Sequence, residues 1–101
     1  MAREDAVFKA IADERRRAIL AALAERPMAV HEVTALFAIS RPAVSKHLRV
    51  LSEAGLVHAA RSGQENLYRA DVDALAAVSD WLGRMWAGRL RTLKDLAERK
   101  H

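Results

Sequence analysis

Residues 40–51 read Ser40-Arg41-Pro42-Ala43-Val44-Ser45-Lys46-His47-Leu48-Arg49-Val50-Leu51. A serine followed by a proline within the first turn is a helix start. The hydroxyl accepts a backbone N–H that has no partner inside the helix, and proline lacks an N–H that the first turn does not need. Val44, Leu48 and Leu51 recur at i, i+4 and i+7 and define one buried face. The opposite face carries Arg41, Ser45, Lys46 and Arg49, with His47 at its edge, and nothing apolar interrupts it. Gly55 is placed to take the left-handed position that closes the helix. Just upstream, Val30, Val33, Leu36 and Phe37 mark another helix ending around Ala38. The short join between the two is the spacing of a helix-turn-helix, here over residues 30–54.

Downstream, Leu56 to Arg61 and Asn66 to Arg69 flank Ser62-Gly63-Gln64-Glu65. Two short runs around a glycine-containing turn predict a β-hairpin, a wing over residues 56–70. Asp71 caps a final helix over residues 72–99, which at 1.5 Å per residue reaches about 40 Å, longer than so small a body. Upstream, a short helix over residues 3–12 is apolar at Val7, Phe8 and Ile11. Asp13 caps a second helix carrying Ile19, Leu20 and Leu23, stopped by Arg26-Pro27, and Met28 to Val30 is extended. The expected fold is therefore mainly α with a small β-hairpin wing: two helices, a short extended segment, two helices, two strands and a long last helix, a winged helix-turn-helix. One placement is unfavourable as it stands. Arg15, Arg16 and Arg17 lie in the first turn of the second helix, where cations oppose the helix dipole.

The 101 residues suit one domain, and 51% hydrophobic with 30% charged residues supply its core without staples. Twenty-one alanines and twelve leucines against five aromatics favour helix over sheet. There is no cysteine, which excludes disulfides, thiol catalysis, iron–sulfur clusters and thiolate zinc sites. No stretch approaches a membrane span, and Arg3, Glu4 and Asp5 stand where a signal peptide would be apolar, so a cytoplasmic protein without membrane partners is expected. An enzyme is disfavoured: Ser45 and His47 are two apart on one helix and cannot face each other, and no Gly-rich phosphate loop is present.

The formal net charge of +4 points to a polyanionic partner. It is concentrated: Arg41, Lys46, Arg49, Arg61 and Arg69 against Glu53 and Glu65 put +3 of it between residues 41 and 69. A helix of about 12 Å diameter fits the major groove of B-DNA, with its first turn at the base edges. Arg41 would donate two hydrogen bonds to guanine, Ser45 and Lys46 would reach bases or phosphates, and Arg61, Gln64, Asn66 and Tyr68 of the wing would meet the backbone or minor groove. An ordinary solvated polar face and an ordinary exposed hairpin remain the alternative readings. So does a basic face that binds an acidic protein rather than DNA.

Ala12 to Leu20 (Ala-Asp-Glu-Arg-Arg-Arg-Ala-Ile-Leu), Ser40 to Leu51, and Glu53-Ala54-Gly55-Leu56-Val57 together resemble successive signatures of the ArsR family of bacterial winged-helix repressors, the middle segment being the most specific. The resemblance spans about residues 5 to 97. It implies a symmetric homodimer joined by its terminal helices, two recognition helices in successive major grooves of a near-palindromic operator, and repression relieved by an effector. Carried onto matching positions, the recognition residues are Ser40, Arg41, Pro42, Ala43, Ser45 and His47, with helix packing as the alternative role of His47, while Arg17, with Arg16, approaches phosphate or fixes the second helix. Ala29 stands where relatives often place a capping Ser or Thr, so the third helix is expected to start loosely or borrow another acceptor. A domain of this size, without a segment to recruit polymerase, is expected to block promoters rather than activate them, on the bacterial nucleoid.

Relatives that sense metals through cysteine have no counterpart here. A site of oxygen and nitrogen ligands on the last helix would have to draw on Asp71, Asp73, Asp80, Glu98 and His101, which do not make a convincing set, so neither metal nor cofactor is expected. Leu75, Leu82, Trp86, Leu90, Leu93 and Ala97 follow spacings of seven, four, four, three and four, flanked by Val78, Met85 and Leu96. That is the seam of a helix that pairs with another, completed by Val7, Phe8 and Ile11 of the first helix. Trp81 and Trp86 are alternatively the walls of a small-molecule pocket between subunits.

Overall fold

The computed structural model describes residues 2–99. His101, one of the carboxylate and histidine candidates above, lies outside them. Seven elements follow the expected order: α1 (Ala2–Ile11), α2 (Glu14–Glu25), α3 (Val30–Phe37), α4 (Arg41–Glu53), β1 (Val57–Ser62), β2 (Glu65–Ala70) and α5 (Val72–Arg99).

Local chemistry sets most boundaries. The Asp13 carboxylate accepts the Arg16 N–H (3.0 Å), the Ser40 hydroxyl accepts the Ala43 N–H (3.2 Å), and the Asp71 carboxylate accepts the Ala74 N–H (2.9 Å), so three helices begin on a side-chain acceptor. At the start of α3 the missing acceptor is borrowed: Glu32 reaches back to the Ala29 N–H at 2.9 Å and is itself held by Arg26 at 3.0 Å. α4 ends with Gly55 at φ +77°, its N–H on the Ser52 carbonyl and the Leu56 N–H on that of Leu51. This pair of bonds needs a left-handed residue, the reason for glycine there.

The core is built from one stripe of each of the first four helices: Val7 and Ala10, Ile19, Leu20 and Leu23, Val33, and Val44, Leu48 and Leu51, closed by Met28, Leu56 and Val57. The hairpin pairs antiparallel from Val57–Ala70 out to Ser62–Glu65, and Gly63 takes φ +63° in its two-residue turn. Met28 adds a bridge on the other side of β2, exchanging both backbone bonds with Tyr68 (2.9 and 2.8 Å). The base of the wing is thereby tied to the α2–α3 connection. Beyond its base the wing is exposed on both faces.

One expectation needs correction, and one apolar marker of α3 lies outside the core. Val7 is 6% exposed and belongs to the protomer's own core, because α1 turns Val7 and Ala10 onto α2 and α4; only Phe8 and the half-buried Ile11 remain for an interface. Leu36 is 59% exposed, since an eight-residue helix buries a single stripe through Val33 and Leu36 falls beside α2 instead.

α5 has no fully buried residue. Its first half lies on the body through Ala74, Leu75 and Val78, and Trp81 meets Phe8 at 5.2 Å between ring centroids, tilted by 53°. Its second half projects, giving a molecule 64 Å long and 24 Å across. There Trp86, Leu90, Leu93 and Leu96 are 48–59% exposed.

Candidate nucleic-acid interface

α4 presents to solvent the side that its apolar stripe leaves free. Arg41, Pro42, Ser45, Lys46 and Arg49 are exposed, Ala43 is half-buried, and Val44, Leu48 and Leu51 point inward. Ser40 is occupied as the cap of the helix, which fixes the first turn and therefore the direction in which Arg41 leaves it. Arg41 also borders a cleft of about 220 Å³ whose far wall is the wing, through Arg61, Gln64, Asn66 and Tyr68. Arg41 of α4 and the wing residues expected to touch nucleic acid thus border one cleft. Tyr68 is half-buried at the base of the wing, whereas Arg61, Gln64 and Asn66 are exposed. Arg61 lies over the turn, its Nε donating to the Gly63 carbonyl at 3.1 Å. His31 Nε2 and Glu65 Oε1, 3.2 Å apart, join the start of α3 to the wing across this cleft.

The triplet of arginines resolves into three caps. Arg15 Nη1 donates to the Phe37 carbonyl at 3.3 Å, Arg16 donates to the carbonyls of Ala10 and Lys9 at 2.8 and 2.9 Å, and Arg17 Nη1 donates to that of Ile11 at 2.8 Å. Their backbones stand at the wrong end of α2, but their guanidiniums reach the C-terminal carbonyls of α1 and α3, where a cation is favoured. Arg17 is thus first of all a tie between α1 and α2, although it remains exposed.

His47, at the edge of the basic face of α4, packs against α2. It is half-buried and turned toward α2, with Nδ1 3.4 Å from Arg16 Nη1. Burial lowers its pKa, with Arg16, Arg15 and Lys46 adding to the effect and Asp13 opposing it. The carboxyls that cap helices are also held below their ordinary values: Asp13 by the Arg16 N–H, Glu32 by the Ala29 N–H and then Arg26, Asp71 by the Ala74 N–H and then His58, whose Nε2 is 2.7 Å away. All these folded-state values lie below the unfolded ones. The stability they contribute is therefore complete above the unfolded pKa and is lost as pH falls through the folded value. The thermal midpoint is expected to decline first below about pH 6.5 from His47, and again below about pH 4 from the carboxyls. Circular dichroism melts of the wild type, His47→Asn and Asp71→Asn check this. The first decline should vanish in His47→Asn, and the acid decline should shrink in Asp71→Asn.

Sequence reasoning passed over Arg15, the His31–Glu65 pair and the His58–Asp71 pair; in each case the partner is 13 or more residues away. Trp81 and Trp86 do not share a pocket within the protomer. Trp81 borders an apolar groove of about 290 Å³ between α1 and α5 with Val7, Leu56 and Val78, and Trp86 lines a different one with Met85 and Leu93. Among the described residues, no three His, Asp or Glu cluster as metal ligands, and no helix is long and apolar enough to cross a membrane.

A helix-turn-helix with an exposed cationic second helix, flanked by a β-hairpin that borders the same cleft, defines the winged-helix class of regulators. The sequence profile described as "Bacterial regulatory protein, arsR family" matches residues 13–59. The HTH-type transcriptional regulator Rv2034 of Mycobacterium tuberculosis is 43% identical over 94 residues, covering 93% of this chain and 88% of its own. The transcriptional repressor SdpR of Bacillus subtilis is 36% identical over 76 residues, covering 75% and 84%. Among solved structures, Mb0332 of Mycobacterium bovis, described as a homodimeric winged helix-turn-helix DNA-binding domain, superimposes with a TM-score of 0.69 at 31% identity, covering 82% of this chain and 80% of that one. The chain belongs to the ArsR family of bacterial transcriptional regulators. It is a regulator and not an enzyme.

Proposed function

We propose that the protein is a homodimeric, sequence-specific repressor that binds a near-palindromic operator in the bacterial cytoplasm, on the nucleoid, and acts by covering the promoter. The observation that carries this reading is the shared surface: Arg41, in the first turn of α4, and the wing residues Arg61, Gln64 and Asn66 border one cleft. A major-groove reader and a backbone or minor-groove clamp are then parts of one rigid face. Arg41 and Ser45 read base edges, with Ser40, Pro42 and Ala43 shaping the approach of the first turn. Lys46, Arg49 and Arg61 neutralise phosphates, Gln64 and Asn66 extend the wing contact, Tyr68 supports its base, and Arg17 offers its remaining donors to the backbone. The dimer forms through α5, with Leu82, Met85, Trp86, Leu90 and Leu93 in the seam and Leu75, Val78, Phe8 and Ile11 at its inner end. The similarity to a regulator named as a repressor and to a structure described as homodimeric supports this assignment. An effector that relieves repression is part of the reading; its chemistry is open.

The test is selection of bound duplexes from a random library, followed by footprinting and by transcription from a promoter carrying the selected sequence. Transcription should fall as protein is added; a rise would reverse the sign of regulation. Affinity should also drop steeply with salt, with a log–log slope of several units. A flat response would point to an acidic protein partner. Two substitutions separate reader from clamp. Arg41→Ala is expected to relax preference at its base position by about 1 to 3 kcal/mol. Arg61→Ala should instead weaken all duplexes alike and reduce the salt slope by about one unit. Binding measured on the selected duplex and on a scrambled one distinguishes the two, and exchanged outcomes would show that the roles are reversed.

A further inference from the structure

Arg16 brings three helices together through one side chain. It is 12% exposed, with Nε and Nη2 donating to the carbonyls of Ala10 and Lys9 near the end of α1, and Nη1 3.4 Å from Nδ1 of His47 on α4 and 3.9 Å from the Asp13 carboxylate. A guanidinium carries five N–H donors in a rigid fork, has no acceptor and stays charged in a protein. The ring nitrogen that faces it must therefore present a lone pair. A hydrogen bond at this contact requires His47 to be neutral, with its proton on Nε2.

We propose that Arg16 and His47 form a positioning pair for DNA binding: the fork, clamped on the end of α1, holds the recognition helix at its docking angle by engaging His47 in the single tautomer able to accept, and protonation of the ring releases that helix. The pair rests on the DNA-binding reading above but adds to it, because neither residue needs to touch DNA. The groups that face the ring are Asp13, Arg15 and Arg16 from α2 and Lys46 on its own helix, while α1 contributes backbone carbonyls to the latch. Three of those four side chains are cations. A second proton on His47 would remove the acceptor and set a cation against the Arg16 guanidinium at 3.4 Å in a half-buried place. Through Arg16 the latch also touches α1, which meets α5 at the Phe8–Trp81 contact.

The first test uses the DNA-free protein. A long-range ¹H–¹⁵N spectrum of the wild type at neutral pH should show His47 with Nδ1 unprotonated and Nε2 protonated; the opposite tautomer, or an average of the two, overturns the proposal. The second uses the duplex recovered by selection. His47→Ala should bind it about tenfold more weakly, the scale of losing one hydrogen bond from a charged donor. His47→Asn should recover most of that loss, because its Oδ1 stands where Nδ1 does and cannot be protonated. Wild-type binding should weaken as the pH falls below about 6.5, while that of His47→Asn should not. Arg16→Lys keeps the charge but not the fork and should be as weak as His47→Ala. Thermal melts of each variant identify any that fails to fold, and the two His47 variants leave the α1 caps in place. Equal binding by His47→Ala and His47→Asn, or pH dependence retained in His47→Asn, rejects the pair. If no duplex is selected, the DNA-binding reading fails, and the tautomer measurement still decides whether the latch exists.

Discussion

Leu90→Asp combined with Leu93→Asp is expected to yield a folded monomer whose affinity for the selected duplex is lower by about 10² to 10⁴-fold. Both side chains are nearly three-fifths exposed in the protomer, so a carboxylate at either position disturbs little of its own body. In a paired helix the same carboxylates would be buried against apolar partners without a counter-charge, which association cannot tolerate. Two linked half-sites give the second contact the advantage of a tethered ligand, and separating the protomers removes it. The salt slope should fall to about half, because half the phosphate contacts go with the lost partner. Sedimentation equilibrium, a binding titration at two salt concentrations and a circular dichroism melt check the three parts. A monomer that binds as tightly as the wild type would show that the seam is not what delivers two reading helices to DNA. Leu82→Asp, in the same seam, is a less clean test, since Leu82 is half-buried within the protomer.

Leu48→Ala should have the greatest effect on folding. Leu48 is 2% exposed and lies in the buried stripe of α4 with Val44 and Leu51, packed into the cluster that includes Ile19 and Leu23. Removing a buried leucine side chain costs about 2 to 5 kcal/mol, the lost burial plus the cavity left behind. Domains of this size are stable by only about 5 to 15 kcal/mol, and each kcal/mol moves the midpoint by about 4 to 8 °C. A drop of roughly 8 to 40 °C is therefore expected. Leu36→Ala is the matched control: its side chain is 59% exposed, and the change should stay within about 0.5 kcal/mol. A Leu48→Ala midpoint indistinguishable from that of Leu36→Ala would mean that α4 is not seated on this core.

The contrast between those two leucines shows where sequence patterns stop. Both were read as markers of an apolar face, and α4 honours the pattern over 13 residues because three turns of consistent spacing leave one way to bury it. α3 has eight residues, too few for periodicity to separate a core leucine from a surface one. The arginine triplet shows the same limit in electrostatics. Its position in α2 looked unfavourable, and it became intelligible once Phe37 and the end of α1 were seen to bring carbonyls within reach. His47 on the edge of the reading face was compatible with DNA or with packing. In the folded protein its ring lies 3.4 Å from Arg16, 31 residues earlier.

The order of elements, the caps at Asp13, Ser40, Asp71 and Gly55, the apolar stripe of α4 and its basic outer face were all legible in the chain. Hydrogen bonding within a turn and burial along a helix face act over one to seven residues, and their signatures are written at that range. The destinations of Arg15, Arg16 and Arg17, the inward turn of His47, the loss of Val7 to the protomer's own core and the shared cleft of Arg41 with the wing belong to the folded molecule alone. Each depends on how helices cross and on which backbone groups that crossing leaves exposed, an outcome of packing the whole core together.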